Sequence, residues 1–489
     1  MVPFIAVLLA ACILLVWKLH KTFSYWDGKG IPHVGLLQYA KDVCNMFARP
    51  FHEVYESGHK KYGRLYGTYQ DTDPCLVVGE PDLLRLIYIK HFSSFADRNT
   101  PQESGNVVWD RMLNAIAGEE WKNMRSISTA CFTSAKLRAT VPRIARVGRR
   151  TADVYVELGR RNQTADVHDI SLKSTLDAIV AIAFSIEIDS HKDPENAFRK
   201  HYYNIFSREV GWRVLMYFRM PKLFKLFHLL GMSLAPERYT ENFVALMRTI
   251  IEDRIQNNVR MDDQLQVFLD AATNNKDGKA RGMTMDEVIS QSLLMLVGGS
   301  DTTAWTLTSV LHMLALNESS QEKLIEEIDR VIGKEAVSLE KLDSMPYLEA
   351  VISEALRLNR INPCHIRQCT AETTLNGIHF TPGMAVNIPI NCIHRDPEFF
   401  EEPEVFKPER FLPENKDQIR AFTYAPFGLG PRNCIGKRQA LLHLKILLVC
   451  IFQKVTLRRR VETVERVAFK SWTLLPQLAS PIILQPVPR

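Results

Sequence analysis

The sequence predicts a mainly α domain with small β-sheets. Helical periodicity dominates the body, and one apolar segment of roughly 30 residues runs unbroken to Leu316. Strand-like runs are short and confined to residues 64–78 and 365–390. Length alone, at 489 residues, would suggest two or three domains, but no internal repeat and no long Gly/Ser or Pro-rich linker offers a boundary, so one large domain is the economical reading. Hydrophobic residues at 46% and charged ones at 24% exclude disorder. A net charge of +6, with no basic run interleaved with aromatics, excludes a nucleic-acid binder. Nine scattered cysteines without a C-x-x-C pair argue against a disulfide framework and a zinc site, and fit a reducing compartment. Asn162 and Asn317, in glycosylation sequons, are therefore expected to be unmodified.

The first 17 residues carry no charged side chain, and Lys18, His20 and Lys21 follow at once. As a helix the run reaches ~26 Å, enough for a thin bilayer. A cleaved signal would want a basic start and a small-x-small site, and neither is clear. Basic residues after the apolar run put the body in the cytosol. Residues 1–21 are thus expected to be an uncleaved signal anchor, with the domain spanning 22–489.

Residues 64–69 and 75–78 read as two strands joined by the turn residues Asp71-Thr72-Asp73-Pro74. In the helix that follows, Trp121 and Arg125 share a face. Pro236–Asn258 has helical spacing, and Asn274–Gly278 is a loop. Thr284 and Glu287 form a capping box that opens the long helix, a spine through the core. Within it, Gly298 and Gly299 together cost ~2 kcal/mol relative to alanine. Close approach of a ligand to bare backbone would offset that, as would a local bulge where the Thr302 hydroxyl enters the hydrogen-bond ladder, or simple helix packing. The β-like region near 365–390 closes at Pro382-Gly383. Tyr217–Leu230 mixes aromatic, leucine and lysine residues, the character either of core or of a segment dipping into a membrane surface.

The chemistry concentrates in Phe427-Gly-Leu-Gly430-Pro-Arg432-Asn-Cys434-Ile-Gly436, a loop opening onto an apolar helix from Lys437 to about Gln453. A thiol at a helix N-terminus sees the positive end of the backbone dipole, which favours the thiolate that a metal requires. Glycines at 428, 430 and 436 permit tight turns and let a flat cofactor lie against backbone. Arg432 is placed to meet an anionic group at that cofactor's edge. The spacing of Phe427, Gly430, Arg432, Cys434 and Gly436 would arise by chance in a chain of this length with a probability on the order of 10⁻⁴, so a structural cysteine is the weaker reading.

This loop resembles the haem-binding loop of the cytochrome P450 family. Gly298-Gly-Ser-Asp301-Thr302-Thr303 resembles that family's oxygen-binding helix motif, and Glu354-Ala-Leu-Arg357 with Pro408-Glu-Arg410-Phe411 its structural Glu-Arg-Arg network. The resemblance covers roughly residues 30–489. It is nearest the drug- and steroid-oxidising family-3 group, through Glu120-Trp121, Cys131–Ser134 and Arg395–Phe400. It implies a helical prism with small β-sheets and haem b (iron protoporphyrin IX) between the long helix and the cysteine loop. Cys434 is then the iron ligand. Phe427, Gly430 and Gly436 border the cofactor, and Trp121, Arg125, Arg367 and Arg432 meet its propionates. Asp301 and Thr302 relay protons to dioxygen. His365 and His394 are assigned no role at iron. The implied reaction inserts one oxygen atom into a lipophilic substrate, a xenobiotic, steroid or fatty acid. No G-x-G-x-x-G follows a strand, so electrons are expected from NADPH through NADPH-cytochrome P450 reductase, with a cytochrome b-type protein as a further donor. The implied location is the endoplasmic reticulum membrane, with the domain on the cytosolic face. Two alternatives stay open: an isomerase that rearranges peroxides without O₂ or electrons, and a haem sensor. Relatives of the first kind commonly lack the acid–threonine pair that this chain keeps. A sensor would carry an added signalling segment. Residues 107–117, 217–230, 362–366 and 472–476 are expected to shape the pocket.

Overall fold

The computed structural model describes residues 13–14, 16–98, 104–205, 208–273, 282–359, 361–471 and 477–489. Helices dominate. Those that build the site are α1 (Gly118–Thr129), α2 (Ser134–Arg160), α3 (Val167–Phe184), α4 (Ala197–Ile205), α5 (Met285–Leu316), α6 (Pro346–Leu358) and α7 (Lys437–Phe452). Among the described residues nine strands follow in chain order: β1 (Leu65–Gln70), β2 (Asp73–Val78), β3 (Ala165–Asp166), β4 (His365–Gln368), β5 (Thr373–Leu375), β6 (Ile378–Phe380), β7 (Ala385–Ile388), β8 (Val455–Arg458) and β9 (Ile483–Pro488). They form three small sheets, ordered β1-β2-β7-β4, β3-β9-β8 and β5-β6. In the first, β2 and β7 run parallel while the two outer pairings are antiparallel. Mainly α with small sheets is therefore the observed class.

α5 is the spine. Its start is fixed by the Thr284–Glu287 capping box, with both reciprocal hydrogen bonds made. Its apolar residues lie on every side, the mark of a helix that faces protein all round. Val288, Ile289, Leu293 and Leu296 belong to a core shared with α1, α3 and α4, which includes Trp121, Leu176, Ile179 and Phe198. Leu307, Val310, Leu311 and Leu314 belong to a second core shared with α2, α6 and α7. One helix thus joins two cores, and its middle turns, Gly298 to Thr306, border the space between them.

The two glycines divide the explanations between them. A Cβ on Gly299 would fall 2.6 Å from Ile179 Cδ1, so this glycine lets α5 pack on α3. A Cβ on Gly298 would meet nothing closer than Leu294 Cδ1 at 3.9 Å, so of the two cavity-lining glycines this one has no packing constraint. The helix runs on without a bulge, because the Thr302 hydroxyl donates to the Gly298 carbonyl at 2.8 Å without displacing the ladder. The β1–β2 turn is also tighter than the sequence suggests. Asp73 and Pro74 pair with Gln70 and Tyr69, leaving Asp71 and Thr72 as the connection, with Asp71 at φ 51°.

α6 carries the buried charge network. Arg357 clamps Glu354 through two bonds of 2.8 Å and donates to the carbonyls of His394 and Pro403, each at 2.7 Å. Arg410 approaches Glu354 at 3.5 Å, and the Lys407 N–H donates to the same carboxylate. Glu354 and Arg357 are wholly buried, so each is held by the other and by the backbone it fixes. The network ties α6 to the segment that leads into the cysteine loop.

Three sequence expectations fall partly or wholly outside the described residues: most of the anchor (1–12 and 15), the Asn274–Gly278 loop, and the pocket segment 472–476. No helix among the described residues is long and apolar enough to cross a membrane.

Candidate active site

The cysteine loop is a compact coil pinned by its own backbone. Gly428 N–H donates to Ala425, Asn433 N–H to Gly430, and Cys434 N–H to the Phe427 carbonyl at 2.8 Å. Gly428 and Gly430 sit at φ 71° and 72°, where side chains strain the backbone. Gly430 has a second constraint, since a Cβ there would lie 2.1 Å from the Tyr88 carbonyl oxygen. It turns the loop against that segment and is not among the cavity-lining residues. Gly436 precedes α7 at an ordinary φ of −85°, and a Cβ would meet only the Phe132 ring at 3.8 Å. What glycine leaves open there is cavity space.

A cavity of about 470 Å³ lies between this loop and the middle of α5. Cys434 is one of its walls, surrounded by protein except where its side chain opens onto the cavity. Burial pushes the thiol pKa up, while the Gly436 N–H, Arg98, Arg125 and Lys437 pull it down. The helix-terminal N–H and the nearby cations thus work against the cost of burying a thiolate. A metal cation at the sulfur would act in the same direction, because a coordinating thiol is deprotonated outright.

Four arginines line the same cavity: Arg98, Arg125, Arg367 and Arg432. Arg432 is buried, stacks over the Trp121 ring at 4.5 Å and donates to the Ile116 carbonyl at 2.6 Å. Its nearest carboxylate, Asp97, is 3.6 Å away, and its Nε and Nη1 lack hydrogen-bond partners. Burial and the neighbouring arginines bring its pKa down to about 9 and that of Arg98 to about 10. Arg367, on β4, is buried with Nε unpartnered, and its pKa is likewise lowered by burial. Arg125 is shifted the same way, and it grips Asn433 beside the cysteine, Nη1 to the carbonyl at 2.9 Å and Nη2 to the side chain at 3.0 Å. Burying this much positive charge is costly without an anion, and a ligand bearing two carboxylates would relieve it. The donor set, one open cysteine beside a cluster of arginines, fits a haem: sulfur for iron and guanidinium groups for the propionates.

Thr302 and Thr303 face the cavity from α5, with Phe427 across from them on the loop. Asp301 is not a lining residue. Its carboxylate accepts a 2.7 Å hydrogen bond from Tyr202 on α4, and burial raises its pKa to about 6. Adjacent residues of a helix point about 100° apart, so the acid and the hydroxyl diverge. Of the expected pocket segments, 107–117 contributes Leu113 and Asn114, 217–230 contributes Phe218, and 362–366 lines the cavity throughout. Sequence reasoning missed Arg98 and Phe132. Nothing in Asp97-Arg98 distinguishes that arginine from the other basic residues until the chain is folded. His365 also lines the cavity, and His394 receives the Ala425 N–H at 3.0 Å.

A family model described as Cytochrome P450 matches residues 28–483. Among curated proteins, the chain is 30% identical over 495 residues to Cytochrome P450 3A6 of Oryctolagus cuniculus, covering 99% of this chain and 97% of that protein. It is 30% identical over 490 residues to Cytochrome P450 3A28 of Bos taurus, covering 99% and 96%. To Cytochrome P450 3A31 of Mesocricetus auratus it is 31% identical over 495 residues, again covering 99% and 96%.

Proposed function

Because the chain belongs to the cytochrome P450 family and is a haem monooxygenase, we propose that it oxidises lipophilic small molecules with electrons passed from NADPH by a reductase. The observation that carries the reading is the cavity itself, with Cys434 on one wall, Thr302 on the other and four arginines in the lining.

In this reading Cys434 would bind the iron as thiolate, and Arg98, Arg125, Arg367, Arg432 and Trp121 would hold the two propionates. Haem bound there supplies activation of dioxygen, with thiolate donation favouring cleavage of the O–O bond. The protein's share is positioning, exclusion of water and proton handling. Thr302 Oγ1, which now donates to the Gly298 carbonyl, can accept a hydrogen bond from water in the cavity and, on turning its O–H away from that carbonyl, donate its own proton inward. Asp301 ionises near neutrality, as a proton reservoir should, and reaches the cavity only by turning away from Tyr202. Leu113, Ile179, Phe218 and Met295 give the cavity an apolar lining, which suits an apolar substrate.

A membrane setting accords with this substrate class. The helix Pro221–Leu229 exposes Leu226 and Leu229, with Leu230 following. Such a surface suits insertion among lipid headgroups, where lipophilic substrates concentrate. The endoplasmic reticulum, with the domain facing the cytosol, is the proposed location. Reconstitution with reductase, NADPH, lipid and ¹⁸O₂ should give product carrying one labelled oxygen. Conversion of a peroxide substrate with no reductase present would instead make the protein an isomerase.

A further inference from the structure

His365 lies on β4 two residues before Arg367, so the two side chains share one face of the strand, and both are buried and line the cavity. Nδ1 of its ring is 2.7 Å from the hydroxyl of Tyr88, itself fully buried. The ring also approaches the cysteine loop, since a Cβ on Gly428 would sit 3.8 Å from Cε1. The charged groups facing the pair are Arg98 and Arg367, both cationic.

The Tyr88–His365 contact sets the tautomer. A buried hydroxyl proton needs an acceptor, and His365 Nδ1 is the partner in place for it. If Nδ1 carried its own proton, the tyrosine O–H would be stranded. With Nδ1 accepting, the proton of the neutral ring sits on Nε2. Burial and the two arginines keep the ring neutral, with its pKa lowered to about 3. The result is an uncharged N–H donor fixed among cations.

The geometry points to the Tyr88–His365 pair as an additional, uncharged hydrogen-bond donor for a haem propionate, with Tyr88 as positioning residue and His365 Nε2–H as the contact. This rests on the cavity being the haem site. A neutral donor grips the carboxylate without adding a fifth charge to four already crowded guanidinium groups. It also explains why a histidine occupies a haem-pocket wall without serving as an iron ligand.

The test uses ferric holoprotein of the native sequence and of His365→Leu, His365→Gln and Tyr88→Phe. Its readouts are the resonance Raman propionate-bending band and the rate of haem transfer to apomyoglobin. His365→Leu should shift the band and speed haem loss about tenfold, the scale of one hydrogen bond to a charged group. Glutamine, whose Nε2–H₂ can occupy the position of the imidazole N–H, should restore both toward native values. Tyr88→Phe, which frees the tautomer, should fall between. An unchanged band and loss rate in His365→Leu would overturn the assignment, and so would an effect confined to the spectral binding of substrate. Absence of haem in the native protein would defeat the underlying site reading as well, and the thiolate-type spectrum of the reduced carbon monoxide complex tells these failures apart.

Discussion

Thr302 and Asp301 adjoin in sequence but meet different surroundings, one the cavity and the other Tyr202 on α4. Their substitutions should therefore read out differently. Thr302→Ala should still take up haem, bind substrate and consume NADPH, while oxygen leaves as peroxide or water. Product per NADPH should fall, with a rate loss of ~10²–10⁴ if proton delivery limits turnover. An unchanged yield would make Thr302 a packing hydroxyl. Asp301 ionises at about 6 in the fold and near ~3.9 when unfolded. Between those values the native state holds the extra proton, so stability present in acid is lost as the pH rises through about 6. Asp301→Asn should then be more stable than the native protein at pH 7.5, by roughly 1–3 kcal/mol, with the gap closing toward pH 4. A gap independent of pH in thermal melts would contradict the burial of that carboxylate. That Cys434, Arg432 and Thr302 gather at one cavity was legible because each stands in a contiguous motif. Arg98 was not, because its role arises only where a loop near residue 98 meets the cysteine loop, more than 300 residues away.

The long helix shows what an element-level reading can and cannot deliver. Its extent and capping box follow from local chemistry, and both are present in the fold. Both glycines line the cavity, but only Gly299 is also pressed against Ile179, a residue of another helix, and no local pattern contains that. Gly299→Ala should cost ~1–3 kcal/mol, because the new methyl displaces the Ile179 side chain. Gly298→Ala should be neutral or gain up to ~1 kcal/mol in helix propensity, while narrowing the space beside Thr302. Denaturation of the two variants checks this, and equal costs would contradict the division of roles. The cysteine helix carries a similar lesson. Its N-terminus lies where the sequence put it, yet burial raises the thiol's pKa despite the Gly436 N–H and the cations around it.

Across the molecule, fold class and family were legible because four motifs recur in order along the chain, each demanding the others' company. The substrate was not legible, since apolar wall residues are contributed by segments far apart and their identities fix size and polarity only. Membrane attachment is the other whole-molecule question. If residues 1–21 anchor the domain, deleting residues 2–21 should leave haem-loaded protein with much weaker attachment to microsomes. Full retention of binding would shift that role to the exposed leucines of 226–230. Whether Cys434 holds haem iron as a thiolate in the cavity beneath α5 can be read from one spectrum. Reduced native protein under carbon monoxide should show the strongly red-shifted Soret band that thiolate donation produces. Cys434→His should lose that band while still binding haem, and a Cys434→His protein that kept it would contradict the account.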